Sequence, residues 1–465
     1  MDQVNLGRVA PLHSRLNTSL RSLLDFSGDS GDSGRRKGTG ISLIQEDDRY
    51  LNHVLDLPLD WNLYQDIRST SRRIGVSRNF KQIIDTFSPP EGETPAGFRL
   101  EFKLEANGVL KVDMARDISF DKNGQKRPTN YLFSADSANP YEVAEIQNLL
   151  ANLTCNPGII YDLFINNPKA NVGNKYKDRD EVMMALGDVL GPGCDISVEI
   201  NNPFDDIGKI IEEAEHFREM LSPYRVVIKI PHTGPVNAGN VDQLLSGDKR
   251  FGGRYDQGPT KDMLRGHNLA TALRERGFRI NFTLMFEPHQ TAMALQAKPY
   301  FINSFVRHRL AQTETMKRYL DLFELTEEAS HLEDLRSFLV DKDYLSPAES
   351  DMNLLEAKKA AARIITYRGA DGPARIDGLD GVRHNLRMLK QTNLPETRLI
   401  VCSMEGEFNY PDIDRLLTEP EFADMMDRLV VTAEPEYLAR FTSANQVVSY
   451  QRRFMNAARD ANASK

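Results

Sequence analysis

The sequence predicts an α/β protein: a (β/α)8 TIM barrel with an N-terminal α+β accessory region and inserted helices. Three observations carry this. From about residue 130, eight short apolar runs alternate with helical stretches, and eight is the number of parallel strands that closes into a barrel. An open doubly wound sheet favours a Gly-rich turn after its first strand, and none follows residues 131–136. Before residue 130 the pattern differs, with a Gly/Ser-rich linker and a hairpin signal. The expected divisions are an accessory region (1–128), the barrel (129–445) and a C-terminal helix or tail (446–465).

Leu12, Leu16, Leu20, Leu23 and Leu24 recur at helical spacing and predict a short helix with one apolar stripe. Residues 27–40 are rich in glycine, serine and charge but lack the G-x-x-x-x-G-K-[ST] order of a phosphate loop, so they read as a flexible linker. A mixed helical stretch covers roughly 55–87, and Pro89, Pro90 and Pro95 break it. Phe98-Arg99-Leu100-Glu101-Phe102-Lys103-Leu104 alternates apolar and polar residues. Asn107-Gly108 then supplies a type I′ turn, and Val109-Leu110-Lys111-Val112-Asp113 returns as the second hairpin strand.

The barrel strands are expected at 131–136, 153–156, 195–200, 225–231, 278–286, 300–306, 399–403 and 428–432. Two connections are longer than a strand-helix-strand unit requires. One follows the fourth strand and includes Lys249, Arg250 and Arg254 within a Gly-rich run. The other, about 310–397, carries acidic amphipathic helices and a Gly-rich stretch at 369–381. The first leaves the carboxyl end of a strand, the face on which barrel active sites lie, so it is a lid or a decorative loop.

Composition bounds the function. The 465 residues include 67 acidic and 58 basic side chains, a net charge of −9, which argues against nucleic-acid binding as the main role. No apolar run reaches the roughly 18 residues a membrane span needs. The N-terminus lacks a secretory signal pattern. Cys155, Cys194 and Cys402 lie far apart with no C-x-x-C pair, so neither a disulfide framework nor a zinc ribbon is expected. His289 with Glu287, or His308, has no H-x-x-x-H companion, and no metal site is expected. The expectation is a cytoplasmic protein, in which the Leu12–Leu24 stripe packs on the barrel or serves a homo-oligomer contact.

Polar residues at strand ends carry the chemistry, because barrel strands otherwise fill the interior with Val, Ile and Leu. The first strand ends in Asp136, the second holds Thr154 and Asn156, and the third holds Glu199. Lys229 lies on the fourth strand, and Asn281 and Thr283 lie on the fifth. A lysine flanked by Val227, Ile228 and Ile230 is desolvated, which favours its neutral form and predicts a pKa lowered to the range useful for a nucleophile. A neutral amine can attack a carbonyl and form a Schiff base, while neighbouring carboxylates shuttle protons. That arrangement suits carbon–carbon bond cleavage beside a carbonyl.

The segments Asp136-Ser137, Leu153-Thr154-Cys155-Asn156-Pro157, Ser197-Val198-Glu199, Ile228-Lys229-Ile230-Pro231 and Asn281-Phe282-Thr283-Leu284-Met285-Phe286 follow the order and context of transaldolases. So do Gln290 in Pro288-His289-Gln290, Ser304-Phe305-Val306, and Asp427-Arg428-Leu429-Val430-Val431. The chain resembles that family over roughly 130–440. The resemblance implies a (β/α)8 barrel, class I Schiff-base chemistry without a metal or other cofactor, and sugars as the small-molecule partners, in the setting of the pentose phosphate pathway. It also implies individual roles. Lys229 attacks the ketose carbonyl, Asp136 takes the proton of the hydroxyl whose C–C bond breaks, and Glu199 handles protons through a water that Thr154 positions. Asn156 and Asn281 hold the hydroxyls of the dihydroxyacetone fragment, with Thr283 in the same polar shell and Phe305 lining the pocket.

The phosphate-binding positions depart from the family. Where it has a serine and an arginine after the sixth strand, this chain has Asn303 and His308, with Arg307 or Arg309 as substitutes one residue away. After the seventh strand Ser403 is kept, but Glu405 stands where an arginine belongs. A carboxylate about 4 Å from a phosphate dianion is repulsive by several kcal/mol at intermediate dielectric. The expectation is a sugar without the usual phosphate, neutral or amine-bearing and bound by Glu405, or else a phosphate held by Lys249, Arg250 and Arg254. A barrel that has lost catalysis and serves binding or regulation is the rival from another class.

Overall fold

A computed structural model describes residues 4–5, 18–24, 40–95, 98–123, 125–221, 224–369, 377–403, 414–440 and 442–463. Contacts divide the chain into two compact units. One comprises Met1–Pro128, Leu190–Asp195 and Glu219–Arg225; the other comprises Thr129–Val189, Ile196–Arg218 and Val226–Lys465.

The first unit holds a five-stranded sheet in the order Val4–Asn5, Phe98–Leu104, Val109–Arg116, Arg73–Val76, Ser42–Leu43. Helices Trp61–Thr70 and Arg78–Phe87 start at side-chain caps from Asp60 and Ser77, which satisfy otherwise orphaned N–H groups. Leu51, Ile67, Ile74, Phe80, Phe102 and Val112 form part of the shared core. Three local expectations change. Arg73–Val76 is a strand, parallel to Val109–Arg116, inside the stretch read as helical; four residues between two capped helices are too few to show a period. At the hairpin tip Gly108 has φ 76° and Asn107 does not take a positive φ. The Gly108 N–H donates to Glu105 O at 2.9 Å and Asn107 Oδ1 accepts from Val109 N–H at 3.0 Å, so the connection is a wider turn with a glycine bulge rather than type I′. Among the described residues of the Leu12–Leu24 stripe, one helical turn forms, Arg21–Leu23, with Leu20 and Leu23 buried in the core. Leu12, Leu16 and most of the 27–40 linker lie outside the described residues.

The second unit is built on the predicted barrel. The barrel strands are β1 (Leu132–Asp136), β2 (Leu150–Cys155), β3 (Asp195–Glu199), β4 (Arg225–Pro231), β5 (Ile280–Thr283), β6 (Phe301–Val306), β7 (Arg398–Ser403) and β8 (Leu429–Ala433), of which the first residues of β3 and β4 count with the first unit. They close in sequential order, with β8 pairing in parallel to β1. Strand β5 is shorter than expected because Leu284 adopts φ 57°, which turns the chain out of the sheet. Gln290 secures this turn. Its Oε1 accepts from the N–H groups of Phe286 (2.7 Å) and Glu287 (2.8 Å), and its Nε2 donates to Leu284 O (3.0 Å).

Helices His308–Thr326, Ala329–Asp341 and Leu354–Arg368 follow β6 and pack around a core of their own, including Met316, Leu335, Leu339, Ala357 and Ala361. The connection after β4 is tied to them: Arg250 donates to Val340 O (3.1 Å) and pairs with Asp341 (3.3 Å), and Arg254 pairs with Glu349 (3.3 Å). Among the described residues no helix is long and apolar enough to cross a membrane.

Candidate active site

Side chains alternate across a strand, so positions two apart on each barrel strand face the axis together. This parity turns Asp136, Thr154, Glu199, Lys229, Asn281, Thr283 and Asn303 toward one interior. Register places Asp136 beside Thr154 and Lys229 beside Asn281. Lys229 Nζ lies 3.1 Å from Glu199 Oε2, with both side chains about one-tenth exposed (9% and 11%). Thr154 Oγ1 donates to Asp136 Oδ1 at 2.8 Å.

The charges correct one expectation. Burial does act to discharge Lys229, but the attraction of Glu199 and Asp136 outweighs it, and the ammonium is held above the ordinary lysine range. Asp136 is pushed up by burial, a shift that the Lys229 charge and the Thr154 hydroxyl only partly oppose. Resting Lys229 is therefore a cation between two acids, one of them disposed to carry a proton.

Asn281 is fully buried. Its Oδ1 accepts from Asn303 Nδ2 at 2.6 Å, while its own Nδ2 has no hydrogen-bond partner. Asn303 Nδ2 also donates to Phe282 O at 2.7 Å. Asn156 follows β2 and caps the next helical turn, its Oδ1 accepting from Ile159 N–H at 2.9 Å. Thr283 is buried at the end of β5, and Phe305 stacks on Phe286 with ring centroids 4.4 Å apart.

The positions proposed for a phosphate are arranged otherwise. Arg309 is an ion-pair hub: its Nε lies 2.7 Å from Glu287 Oε2 and its Nη1 2.5 Å from Asp380 Oδ2. Arg307 enters the following helix with φ 65°. Arg250 and Arg254 are engaged by Asp341 and by Asp256 and Glu349 respectively. Ser403 ends β7 opposite Val306, and Glu405 lies outside the described residues.

Sequence reasoning missed a deeper polar layer two residues below the reactive one. Asn152 Nδ2 donates to Ser134 Oγ (2.9 Å), Ser197 Oγ to Asn152 Oδ1 (3.2 Å) and Thr432 Oγ1 to Ser134 Oγ (3.1 Å). Its signal was the two-residue spacing of Ser134 from Asp136, Asn152 from Thr154 and Ser197 from Glu199. Among the described residues no group of three His, Cys, Asp or Glu is placed to hold a metal ion.

Residues 133–330 match the Transaldolase/Fructose-6-phosphate aldolase family. The match runs from β1 into the second helix after β6 and takes in Asp136, Thr154, Glu199, Lys229, Asn281 and Asn303. Strands β7 and β8 lie beyond it. No curated protein matches the chain. The family supports an enzyme of the transaldolase or aldolase type on this barrel.

Proposed function

We propose that the chain is a transaldolase-like transferase, moving a three-carbon dihydroxyacetone unit from a ketose donor to an aldehyde acceptor through a Schiff base on Lys229. The observation that supports this best is the 3.1 Å Lys229–Glu199 pair beside the Thr154-bound Asp136 carboxyl, all facing one barrel interior.

Because Lys229 rests as an ammonium, the sequence begins with transfer of a proton from Nζ to Glu199. The freed amine attacks the ketose C2 carbonyl. The carbinolamine then leaves water behind as Glu199 returns the proton to the departing hydroxyl, and an iminium forms. Asp136, as carboxylate, takes the proton of the C4 hydroxyl while the C3–C4 bonding pair moves into the iminium. This releases an aldehyde and leaves an enamine. The enamine carbon attacks the acceptor aldehyde, the proton on Asp136 passes to the new alkoxide, and water hydrolyses the iminium to regenerate Lys229. Asn156 and Asn281 bind hydroxyls of the retained fragment, with Thr283 beside them and Phe305 on the wall.

Borohydride trapping with a panel of ketoses, read by mass spectrometry, tests the reading. Mass addition at Lys229 is expected, and the absence of any adduct with every ketose would overturn it. A second reading, a class I aldolase acting on a non-phosphorylated or amino sugar, is favoured by the engagement of Arg309 by two carboxylates. Turnover with and without an acceptor aldehyde separates the two, and a barrel retained only for binding would show neither. The partners in this reading are small sugars rather than nucleic acid or membrane, and the setting is cytoplasmic.

A further inference from the structure

We infer that Glu287 and Asp380 determine specificity at the barrel mouth: they neutralise its arginines and select sugars whose distal end is an uncharged polyol. This rests on the Schiff-base reading above.

A cavity of about 10 Å³, room for one water, opens between the carboxyl ends of β5 and β6, lined by Phe286, Glu287, Ser304, Phe305, Arg309 and Asp380 among others. A phosphate meeting this rim from outside the cavity would need a guanidinium edge for its oxygens. Arg309 donates its Nη1 to Asp380 Oδ2 at 2.5 Å, and its Nε lies 2.7 Å from Glu287 Oε2 as an ion pair without hydrogen-bond alignment. Arg368, only 7% exposed, gives Nη2 and Nε to Glu287 Oε1 at 2.5 and 3.2 Å and Nη1 to Thr313 Oγ1 at 3.3 Å. Burial works against the Arg368 charge, yet Glu287 outweighs it and holds the guanidinium firmly protonated. Two cations and two anions thus cancel within this network, and Arg307, the third arginine of the rim, makes an interaction of its own.

The arrangement is preformed. Glu287 stands at the start of helix Pro288–Gln296, in the turn that Gln290 secures. Arg309 stands in the first turn of helix His308–Thr326, and Asp380 opens helix Asp380–Lys390. An arriving dianion would meet two carboxylates already seated on the cations it needs. A hydroxyl can instead donate to a remaining lone pair of Glu287 or Asp380 without displacing anything.

The test compares kcat/KM for glyceraldehyde and glyceraldehyde 3-phosphate as acceptors with one donor, in wild type and in Glu287→Gln and Asp380→Asn. Wild type should prefer the uncharged acceptor by about tenfold or more, and each variant should move the ratio toward the phosphorylated one by about tenfold. Inorganic phosphate should not compete with the acceptor in wild type. Preference for the phosphorylated acceptor, or competitive inhibition by phosphate, would overturn the inference, and both are read on wild type even if a variant fails to fold. Borohydride trapping of dihydroxyacetone on Lys229 in the same samples separates the levels. An adduct with the opposite acceptor preference sinks the selectivity claim alone, whereas no adduct sinks the Schiff-base reading and this inference with it.

Discussion

Asn303 and Asn281 form a one-way pair. Asn303 Nδ2 donates to Asn281 Oδ1 at 2.6 Å and to the Phe282 carbonyl at 2.7 Å. The orientation of the Asn281 amide is thereby set, and its buried NH2 is left as a donor beside Lys229. Asn303 thus uses its amide donors inside the protein.

Replacing Asn303 by Asp removes the donor and invites the Asn281 amide to turn over, presenting oxygen in place of NH2. The KM for the ketose donor should rise about tenfold, with a smaller change for Asn303→Ser, whose hydroxyl still donates. Steady-state kinetics with donor as the varied substrate check this; equal KM values across the series would show that the pair does not act on donor binding.

Lys229→Ala and Lys229→Arg should each lose the borohydride adduct and lower turnover by at least about a thousandfold, since neither offers a condensing amine. Retained adduct in either variant would place the nucleophile elsewhere.

Glu199→Gln removes the nearest charge that raises the Lys229 pKa. The rise of kcat/KM with pH, which reports loss of the lysine proton, should move to lower pH, while the plateau falls because the proton relay to the carbinolamine is gone. A pH profile of unchanged position would refute the coupling.

His232, just beyond β4, packs against Phe282 in a tilted arrangement with centroids 4.4 Å apart, and its Nε2 is buried without a hydrogen-bond partner. Burial, reinforced by His267 and His289, pushes its pKa down from 6.5 to about 4. Between those values the unfolded chain binds the proton and the folded one resists it, so the His232 contribution to stability is intact above pH 6.5 and lost as pH falls toward 4. The full loss is of the order of 3 kcal/mol. His232→Gln should flatten that part of a urea-unfolding profile, and a parallel profile would reject the assignment.

Asp195 and Arg225 pair at 2.7 Å with side chains almost fully buried. Asp195→Ala leaves the guanidinium buried beside an apolar residue and should cost about 3–5 kcal/mol, measurable as a lowered urea midpoint.

Much of this was legible beforehand. Apolar runs bounded by turn signals marked the barrel strands, and Asp136, Glu199 and Lys229 stood out because ionisable groups are rare on such strands. The end of β5 was not legible, because nothing about Leu284 advertises a left-handed backbone. The pKa shift of Lys229 runs opposite to the one its sequence predicts: desolvation follows from its neighbours in sequence, whereas the opposing pull depends on how close the carboxylates of β1 and β3 come. The ties of Arg368 and Arg309 to Glu287 and Asp380 join residues up to 81 positions apart, and composition cannot say which arginine meets which acid.

Arg368 is the last residue of the third helix after β6, and its charge is delivered to Glu287 at the end of the β5 turn. Excising helices Ala329–Asp341 and Leu354–Arg368 while sparing the eight strands and helix His308–Thr326 would strip a counter-ion from the entrance and leave Arg309 alone to balance two acids. Swapping this segment between related barrels should therefore transplant acceptor preference together with it.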